Sequence, residues 1–334
     1  MVEGPSFSIK EIFDRISGRP FNHAPTLVEL PGRDLLAAWY GGSYEGAKDV
    51  VVLSSRFEST SNAWKEPSVL VDTPDRSDGN PVLFVDRYEN VWLFYVTMEG
   101  NWWDSCVIKC VKSEDGGFTW SSPTILRSEW GWMTRNKPLT LRNGYILLPI
   151  YDEDRWRSMV MISEDDGETW TRYGDIKTDQ GVIQPTVVQL RDGSLLMYMR
   201  TGGKGGYIWK SASTDNGRTW TAACKTQLRN PNSSIEMVKT SDRNIVLAFN
   251  DSSAGRSPLN VALSTNDGCT WPFKKSLEIG QGEFSYPSVI QSRDGNIHVV
   301  YTHRRGEIGQ FDRRFHAHGA NIKHVTLNEA WIKS

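Results

Sequence analysis

Several features that would assign a protein to a class at once are missing from this 334-residue chain. No stretch approaches about 18 uninterrupted apolar residues, so the sequence predicts neither a membrane-spanning helix nor a membrane partner. Lys and Arg number 38 against 40 Asp and Glu, and basic runs are absent, which argues against nucleic acid as the main partner. The sequence leaves the oligomeric state open.

A secretion signal and a disulfide scaffold are also missing. Residues 1–5 contain neither a basic nor an apolar leader segment. The four cysteines are too sparse for a disulfide framework and lack zinc-type spacing. Cys106 and Cys110 fall in one apolar run, which is typical of buried free thiols. These observations favour a cytoplasmic location and leave a secreted or periplasmic one open if a leader has been removed.

Glycine and aromatic residues are abundant, and many of them belong to a repeated motif. The chain has 29 Gly, 14 Trp, 11 Tyr and 12 Phe, which favours sheets joined by tight turns. Ser-x-Asp-x-Gly-x-Thr-Trp occurs at residues 113–120, 163–170 and 213–220, and again at 264–271 with Asn266 in the Asp position. A degenerate fifth copy ends at Trp64.

This motif, called an Asp box below, has a structural chemistry. Its Asp accepts backbone N–H groups inside the turn, its Gly takes a positive φ, and its Trp packs between neighbouring sheets. Because the same residues recur in every copy, we interpret them as architectural and not catalytic.

A second repeat predicts the number of structural units. Each copy is a short strand, a turn of Gly, Asp or Asn, and an apolar strand, which is typical of a hairpin. Six copies begin at Ala24, Asn80, Lys137, Gln184, Ser234 and Tyr286. One further strand follows the last hairpin at residues 321–327, and the N-terminal run 6–13 can supply its missing partner. The prediction is an all-β fold with one domain over residues 1–334: a six-bladed β-propeller with Asp-box turns, its ring closed by the N-terminal strand.

The hairpins also predict where a functional site should lie. The innermost strand of every blade lines the central axis, so the residues just before these strands point into a shared funnel. The loops after the second strands lie at the same edge, and the Asp boxes lie at the opposite edge. The pre-strand positions carry mostly polar side chains, including His23, Asn80, Lys137, Gln184 and Tyr286. This composition predicts a polar pocket opposite the Asp boxes.

Asp boxes on a six-bladed propeller resemble the sialidase (neuraminidase) superfamily, and the resemblance covers nearly the whole chain. It implies that Arg200, which ends the strand LMYMR, and Arg256, which precedes an Asp-box strand, grip a substrate carboxylate. Tyr286 in Ser-Tyr-Pro takes the position of the tyrosine nucleophile. The acid/base carboxylate falls on or near Glu45, with Asp49 as the less favoured match.

Two positions depart from the pattern of that superfamily. His23, in the segment FNHAP, stands where the first arginine is expected, and Gln184 stands where a glutamate should activate the tyrosine. His cannot form the bidentate pair that Arg forms with a carboxylate, and Gln cannot accept a proton from Tyr286. His23 can itself transfer protons near neutral pH. We therefore predict Tyr286, Glu45 and His23 as catalytic residues of an enzyme for acidic sugars.

Further substrate contacts are predicted beside the two arginines. Asn80, Lys137 and Gln184 share the pre-strand position. Arg304 lies near the start of a long cationic segment, residues 303–321, and such a segment in a compact domain is usually functional.

Other charged residues are weaker candidates. Glu236 and Glu283 are reserve carboxylates for the site. His316 and His318 form a His-x-His pair, but two ligands alone are a weak signal for a metal. The sequence therefore predicts no metal and no other cofactor.

Three functions fit these residues, each with an acidic carbohydrate as partner. The first is an exo-acting glycoside hydrolase that removes a terminal sialic- or uronic-acid-type sugar from a glycan, with Glu45 as acid and Tyr286 as nucleophile or cation stabiliser. The second is a lyase that eliminates across C4–C5 of a uronic acid with His23 or Tyr286 as base, since propellers resembling this one include such lyases. The third is a sugar-binding propeller without turnover.

Overall fold

Six antiparallel sheets are arranged around a central axis as the blades of a β-propeller. The structure is a computed structural model and describes residues 4–202, 206–305 and 319–334. The predicted all-β, six-bladed fold is confirmed.

The first three blades follow one another along the chain. Blade 1 contains β2 (Phe21–Glu29), β3 (Leu35–Gly42), β4 (Val51–Glu58) and the short β5 (Ala63–Trp64) and β6 (Ser68–Val71). Blade 2 contains β7 (Ser77–Val85), β8 (Val91–Met98), β9 (Cys106–Ser113) and β10 (Thr124–Arg127). Blade 3 contains β11 (Trp132–Thr134), β12 (Leu139–Thr140), β13 (Ile146–Asp152), β14 (Arg157–Ser163) and β15 (Thr171–Ile176).

The last three blades complete the ring. Blade 4 contains β16 (Val182–Gln189), β17 (Leu195–Thr201), β18 (Tyr207–Ser213) and β19 (Cys224–Arg229). Blade 5 contains β20 (Glu236–Lys239), β21 (Ile245–Phe249), β22 (Leu259–Ser264) and β23 (Phe273–Glu278). Blade 6 contains β24 (Gly282–Gln291), β25 (Ile297–Arg305), β26 (Asn321–Leu327) and β1 (Phe7–Glu11).

The N-terminal strand closes the ring, as predicted. β1 pairs antiparallel with β26, from Phe7 opposite Leu327 to Glu11 opposite Lys323. Phe7 also stacks on Trp331 of helix α1 (Glu329–Lys333), with ring centroids 4.4 Å apart. Because the two ends of the chain share one sheet, the last blade does not end on an open strand edge between β26 and solvent.

Helices contribute little to the architecture. Besides α1, a 3₁₀ turn at Trp103–Ser105 precedes β9. Among the described residues, no helix is long and apolar enough to cross a membrane. Cys106 and Cys110 are buried free thiols, as expected, whereas Cys224 and Cys269 are exposed.

The Asp boxes form the hydrogen bonds that their sequence predicts. The carboxylate of Asp165 accepts the backbone N–H of Thr169 at 2.8 Å and the hydroxyl groups of Thr169 and Ser163 at 2.6 and 2.9 Å. In the fourth box, the amide oxygen of Asn266 accepts the N–H of Thr270 at 2.9 Å. The amide of Asn266 therefore replaces the carboxylate and keeps its main contact, the hydrogen bond from the backbone N–H of the threonine.

The Asp-box glycines hold neighbouring blades together. Gly167, in the box of blade 3, has φ +94°, and a Cβ there would lie 3.0 Å from the ring of Trp92 in blade 2. Gly217, in the box of blade 4, would likewise meet Leu147 of blade 3 at 2.8 Å. These turns combine a left-handed backbone with close packing, so a side chain at either position would separate two blades.

Loss of the Asp-box carboxylate should lower stability. Asp165→Ala removes the acceptor for Thr169 and Ser163, and we expect a drop in melting temperature on the order of 3 °C. Asp165→Asn is the matched control, because Asn266 fills this role naturally, and it should lose less. Thermal unfolding followed by circular dichroism measures both variants, and equal losses in the two would contradict this role for the side chain.

Candidate active site

Four innermost strands contain the same irregularity at the face opposite the Asp boxes. Ala24, Asn80, Gln184 and Tyr286 have φ of 52°, 43°, 53° and 54°, each precedes a proline, and the pairing register shifts at each position. These are β-bulges, which redirect side chains. A non-glycine residue in the left-handed region costs on the order of 1–3 kcal/mol, and such strain concentrates at functional sites.

Blade 3 lacks this bulge and instead bonds to the bulges of its neighbours. The hydroxyl of Thr134 donates to the carbonyl of Asn80 at 2.9 Å. The amide of Asn136 donates to the carbonyls of Gln184 and Pro185, both at 3.0 Å. The inner strand was expected to begin at Lys137; the structure shows that β11 precedes it and that residues 134–136 reach across the axis.

Arg135 lies between these two residues and extends this set of contacts to blades 1 and 6. Its guanidinium donates to the carbonyls of Pro25 at 3.3 Å, Tyr286 at 2.7 Å and Pro287 at 3.2 Å. Arg135 is 2% exposed, and burial lowers its pKa, an effect that the negative charge of Glu236 opposes. No sequence pattern indicates Arg135, because only the bulged neighbours show what it binds.

Tyr286 lies at the centre of a group of cations. Its hydroxyl accepts a hydrogen bond from Arg200 at 3.3 Å. The guanidinium carbons of Arg256, Arg135 and Arg200 lie 5.1, 5.2 and 5.8 Å from its ring centroid, within cation–π range. The ring of His23 lies 4.3 Å from that of Tyr286, centroid to centroid. The structure thus brings together the predicted tyrosine, histidine and both arginines.

The two predicted arginines share one acceptor. Arg200 and Arg256 both donate to the carbonyl of Asn232, at 3.0 and 3.3 Å. Arg256 also pairs with Glu283 at 2.6 Å. Burial would raise the pKa of Glu283, but Arg256 and then His23 oppose it and hold that pKa at about 2. One of the two reserve carboxylates therefore already neutralises one arginine.

Asn80 and Gln184 converge on a tyrosine that the sequence analysis did not select. Their side-chain amides donate to the hydroxyl of Tyr151 at 3.2 and 3.4 Å. Burial, followed by the negative charge of Glu153, raises the pKa of Tyr151 well above its usual value. Tyr151 therefore carries a neutral hydroxyl group, and amide side chains from two blades fix the position of its oxygen.

Lys137 is held by a different carboxylate. Its amino group donates to Glu236 and, at 2.8 Å, to the hydroxyl of Ser288. Glu236 also accepts the backbone N–H of Val289 at 2.7 Å. Ser288 lies two residues beyond Tyr286 on β24, so this ion pair occupies a deeper part of the channel. The predicted contact of Lys137 with substrate stays a prediction.

Carboxyl groups lie on the other side of the site. Glu45 belongs to the loop between β3 and β4, and Glu153 follows β13. Burial, followed by the charges of Glu45 and Asp104, raises the pKa of Glu153 to about 7, although Arg200 opposes this shift. A carboxyl group that keeps its proton near neutral pH can act as a proton donor.

Glu153 falls in the post-strand loop that the hairpin pattern indicated, but its burial is a tertiary property. Asp49, the less favoured match for the acid, accepts the backbone N–H and the hydroxyl of Ser43 at 3.0 and 2.8 Å. Its carboxylate therefore closes the loop that carries Glu45.

The last predicted residues lie at the edge of blade 6. Arg304 is half-buried on β25, opposite Glu283 in the strand pairing. His316 and His318 lie outside the described residues. Within the described ranges, no group of three or more His, Cys, Asp or Glu is arranged to hold a metal ion.

The fold and this group of residues define a class: a propeller of the sialidase type, found among glycosidases. The chain belongs to the family of BNR repeat-like domains, whose model matches residues 33–299.

Known proteins support this assignment. The chain is 25% identical to a sialidase of Micromonospora viridifaciens over 94% of its own length and 52% of that protein, so it spans about half of this relative. The NanB sialidase of Streptococcus pneumoniae superposes with a TM-score of 0.82 at 12% identity, covering 97% of this chain and 71% of that one. An α-L-arabinofuranosidase of Fusarium graminearum gives 0.72 at 15% identity, covering 98% and 99%. The structural likenesses show the fold.

The raised pKa of Glu153 should make the protein less stable at alkaline pH. Folding disfavours its carboxylate form, so this penalty is absent below the unfolded pKa of about 4.3, grows as the pH rises to about 7, and is constant above that. Glu153→Gln should therefore raise the free energy of unfolding by about 3 kcal/mol at pH 8 and leave it nearly unchanged at pH 4.

Chemical denaturation at the two pH values measures this difference. Glu114→Gln, at a carboxylate 78% exposed in an Asp box, is the matched control and should have little effect at pH 8. Equal stability of Glu153→Gln and the parent at pH 8 would mean that Glu153 titrates like an exposed carboxylate.

Proposed function

We propose that the protein is an exo-acting glycoside hydrolase that removes a terminal acidic sugar from a glycan. The observation that carries the proposal is the convergence of Arg200 and Arg256 on one carbonyl beside Tyr286. Two guanidinium groups in this position can donate hydrogen bonds to a ligand carboxylate in a geometry that a single cation cannot offer. The sialidase relatives and the family assignment support the same class of enzyme.

The roles of the residues follow from their places in the site. Arg200 and Arg256 hold the sugar carboxylate. The hydroxyl oxygen of Tyr286 bonds to the anomeric carbon while the glycosidic C–O bond breaks, and Glu45 gives its proton to the leaving oxygen. Water then attacks the anomeric carbon as the bond to Tyr286 breaks; the proton of this water passes to Glu45, and the tyrosine oxygen takes back its own proton from the base that received it.

The proton of Tyr286 needs an acceptor, and Gln184 cannot provide one. His23 is the base in this mechanism, because its ring packs against that of Tyr286 and an imidazole titrates near neutral pH. Glu283 stays ionised beside Arg256 and favours the protonated imidazole electrostatically.

A lyase is the second candidate, and the contact between His23 and Tyr286 favours it. In that reaction one of these groups removes the C5 proton of a uronic acid while the arginines neutralise its carboxylate, and the C4–O bond breaks without a covalent intermediate. Neither a nucleophile nor its activating glutamate is required, so Gln184 is compatible with this chemistry.

The products separate these reactions. Incubation with a panel of sialosides and uronides should release a free acidic monosaccharide if the protein is a hydrolase. An unsaturated uronide that absorbs in the near ultraviolet would establish the lyase instead. Binding without any product would leave a sugar-binding propeller and contradict both enzyme proposals.

Tyr286→Phe removes the reacting hydroxyl and should lower kcat by on the order of a thousandfold or more. Tyr95→Phe is the matched control, because Tyr95 is buried in blade 2 and its hydroxyl has no hydrogen-bond partner among the described residues. Steady-state kinetics compare the two variants with the parent. A near-normal rate for Tyr286→Phe would exclude the tyrosine from the chemistry.

Arg200 and Arg256 form the proposed carboxylate clamp. It is tested best by a variant that leaves no buried charge unpaired. Arg256→Ala alone would strand Glu283, so the double variant Arg256→Ala/Glu283→Gln removes both charges. We expect it to weaken binding of an acidic monosaccharide by about 10- to 100-fold in calorimetry, because a charged hydrogen-bond pair is lost. Glu283→Gln alone frees the guanidinium and should strengthen binding. Unchanged affinity in the double variant would remove Arg256 from the clamp.

A further inference from the structure

An arginine lies in each of the six hairpin turns at the Asp-box end of the molecule. These turns contain Arg33, Arg87, Arg142, Arg191, Arg243 and Arg293. Arg87, Arg191 and Arg293 lie 2.6, 3.8 and 4.0 Å from a carboxylate of another blade. Among the described residues, no carboxylate lies within that distance of Arg142, which is therefore a cation without an ion-pair partner there.

Arg142 and Lys239 bind the hairpin turn of blade 4 from its two sides. Arg142, in blade 3, donates from its guanidinium to the carbonyl of Leu190 at 3.0 Å. Lys239, at the end of β20 in blade 5, donates to the carbonyl of Gln189 at 2.7 Å. Because Gln189 and Leu190 are consecutive, these contacts bring two cations together. Neither cation pairs with a carboxylate in the part of the chain that the structure describes.

Both cations line a cavity of about 370 Å³ in the central channel, between the floor of the candidate active site and the hairpin turns. The charged groups in its wall are Lys137, Arg142, Lys239 and Glu236. The carboxylate of Glu236 is already bound to Lys137 and to the backbone N–H of Val289. Three cations against one carboxylate leave the wall with an excess of two positive charges.

This excess charge is partly withdrawn from water. The side chain of Lys137 is 15% exposed, and Lys239 is half-buried. Burial lowers the pKa of Lys239, and the positive charge of Arg142 adds to this effect, which Asp267 opposes. Charges held away from water without a counter-charge are costly. A small anion in the cavity would offset that cost.

We propose that this cavity binds a phosphate or sulfate ion between Lys239 and Arg142. The ammonium group of Lys239 has three N–H donors, and only one of them has an acceptor among the described residues. Arginine binds such oxyanions through its planar fork of donors, and lysine binds them as a point charge. The ion offsets the excess positive charge and joins blades 3, 4 and 5 at the Asp-box end of the channel.

Calorimetry with inorganic phosphate tests the site. The parent should bind phosphate with a Kd of about 1 mM, and Lys239→Met should weaken binding at least about tenfold, because a charged hydrogen bond is lost. Arg142→Gln should weaken binding as well, and its exposed position makes it the variant that keeps the fold. Arg87→Gln is the matched control, because Arg87 holds the same turn position in blade 2 but pairs with Asp166.

Thermal unfolding gives a second measurement. Phosphate at about 50 mM should raise the melting temperature of the parent by about 3 °C over sodium chloride of equal ionic strength. The shift should be lost in Lys239→Met and kept in Arg87→Gln. Absence of phosphate binding by the parent overturns the proposal, and so does an affinity that is the same in the parent, Lys239→Met and Arg142→Gln.

The candidate active site also carries arginines, so the experiment must separate the two places. Phosphate that is displaced by an acidic monosaccharide, and whose binding is lost in Arg256→Ala/Glu283→Gln but not in Lys239→Met, lies in the active site and overturns the proposal.

Glucose 6-phosphate distinguishes the sources of the ion. Binding that depends on Lys239 and is tighter than that of phosphate identifies an organic phosphate as the ligand. Equal or weaker binding identifies the free ion. Either result supports the site.

Discussion

The hydrogen bonds that residues 134–136 donate to the bulged carbonyls of four other blades are the constraint on which the site depends. Each bulge holds a non-glycine residue in the left-handed region, where a straight strand would be lower in energy. Each bulge also turns carbonyls inward, where they are buried and need hydrogen-bond donors from the protein. Thr134, Arg135 and Asn136 supply those donors, and blade 3 can do so because its own inner strand is interrupted. The same bonds that stabilise the strained backbone therefore set the positions of Asn80, Gln184 and Tyr286.

The two arginines and the two carboxyl groups of the proposed chemistry come from different blades. Arg200 and Arg256 lie on blades 4 and 5, whereas the carboxyl groups of Glu45 and Glu153 lie on blades 1 and 3. An isolated buried charge is costly, and the two sides avoid it differently. Arg256 is paired with Glu283, while Glu153 keeps its proton until the pH reaches about 7. A substrate with one acidic end and one bond to be protonated matches this division, since each end meets the group it requires.

The periodic part of the molecule could be predicted from sequence, and the site only in part. Asp boxes and hairpins recur at a regular spacing, because every blade packs against its neighbours in the same way. This regularity predicted the six blades and the closure of the ring. Tyr286 and Gln184 were selected as candidates because they occupy a repeated position. Arg135 was not selected, because it lies in blade 3, where the repeated bulge is missing. Its partners are backbone carbonyls, which no sequence pattern shows. The shifted pKa of Glu153 likewise depends on burial and neighbouring charges from three blades, which local sequence does not encode.

The sequence analysis predicts two departures from the superfamily pattern, at His23 and Gln184, and their effects on charge oppose each other. An arginine replaced by His23 removes a positive charge when the imidazole is neutral, and a glutamate replaced by Gln184 removes a negative one. Made together, the two changes keep the net charge of the funnel and leave two polar groups: an imidazole against Tyr286 and an amide bonded to Tyr151. In the proposed mechanism, the proton that Gln184 cannot accept passes instead to His23, whose ring packs against that of Tyr286.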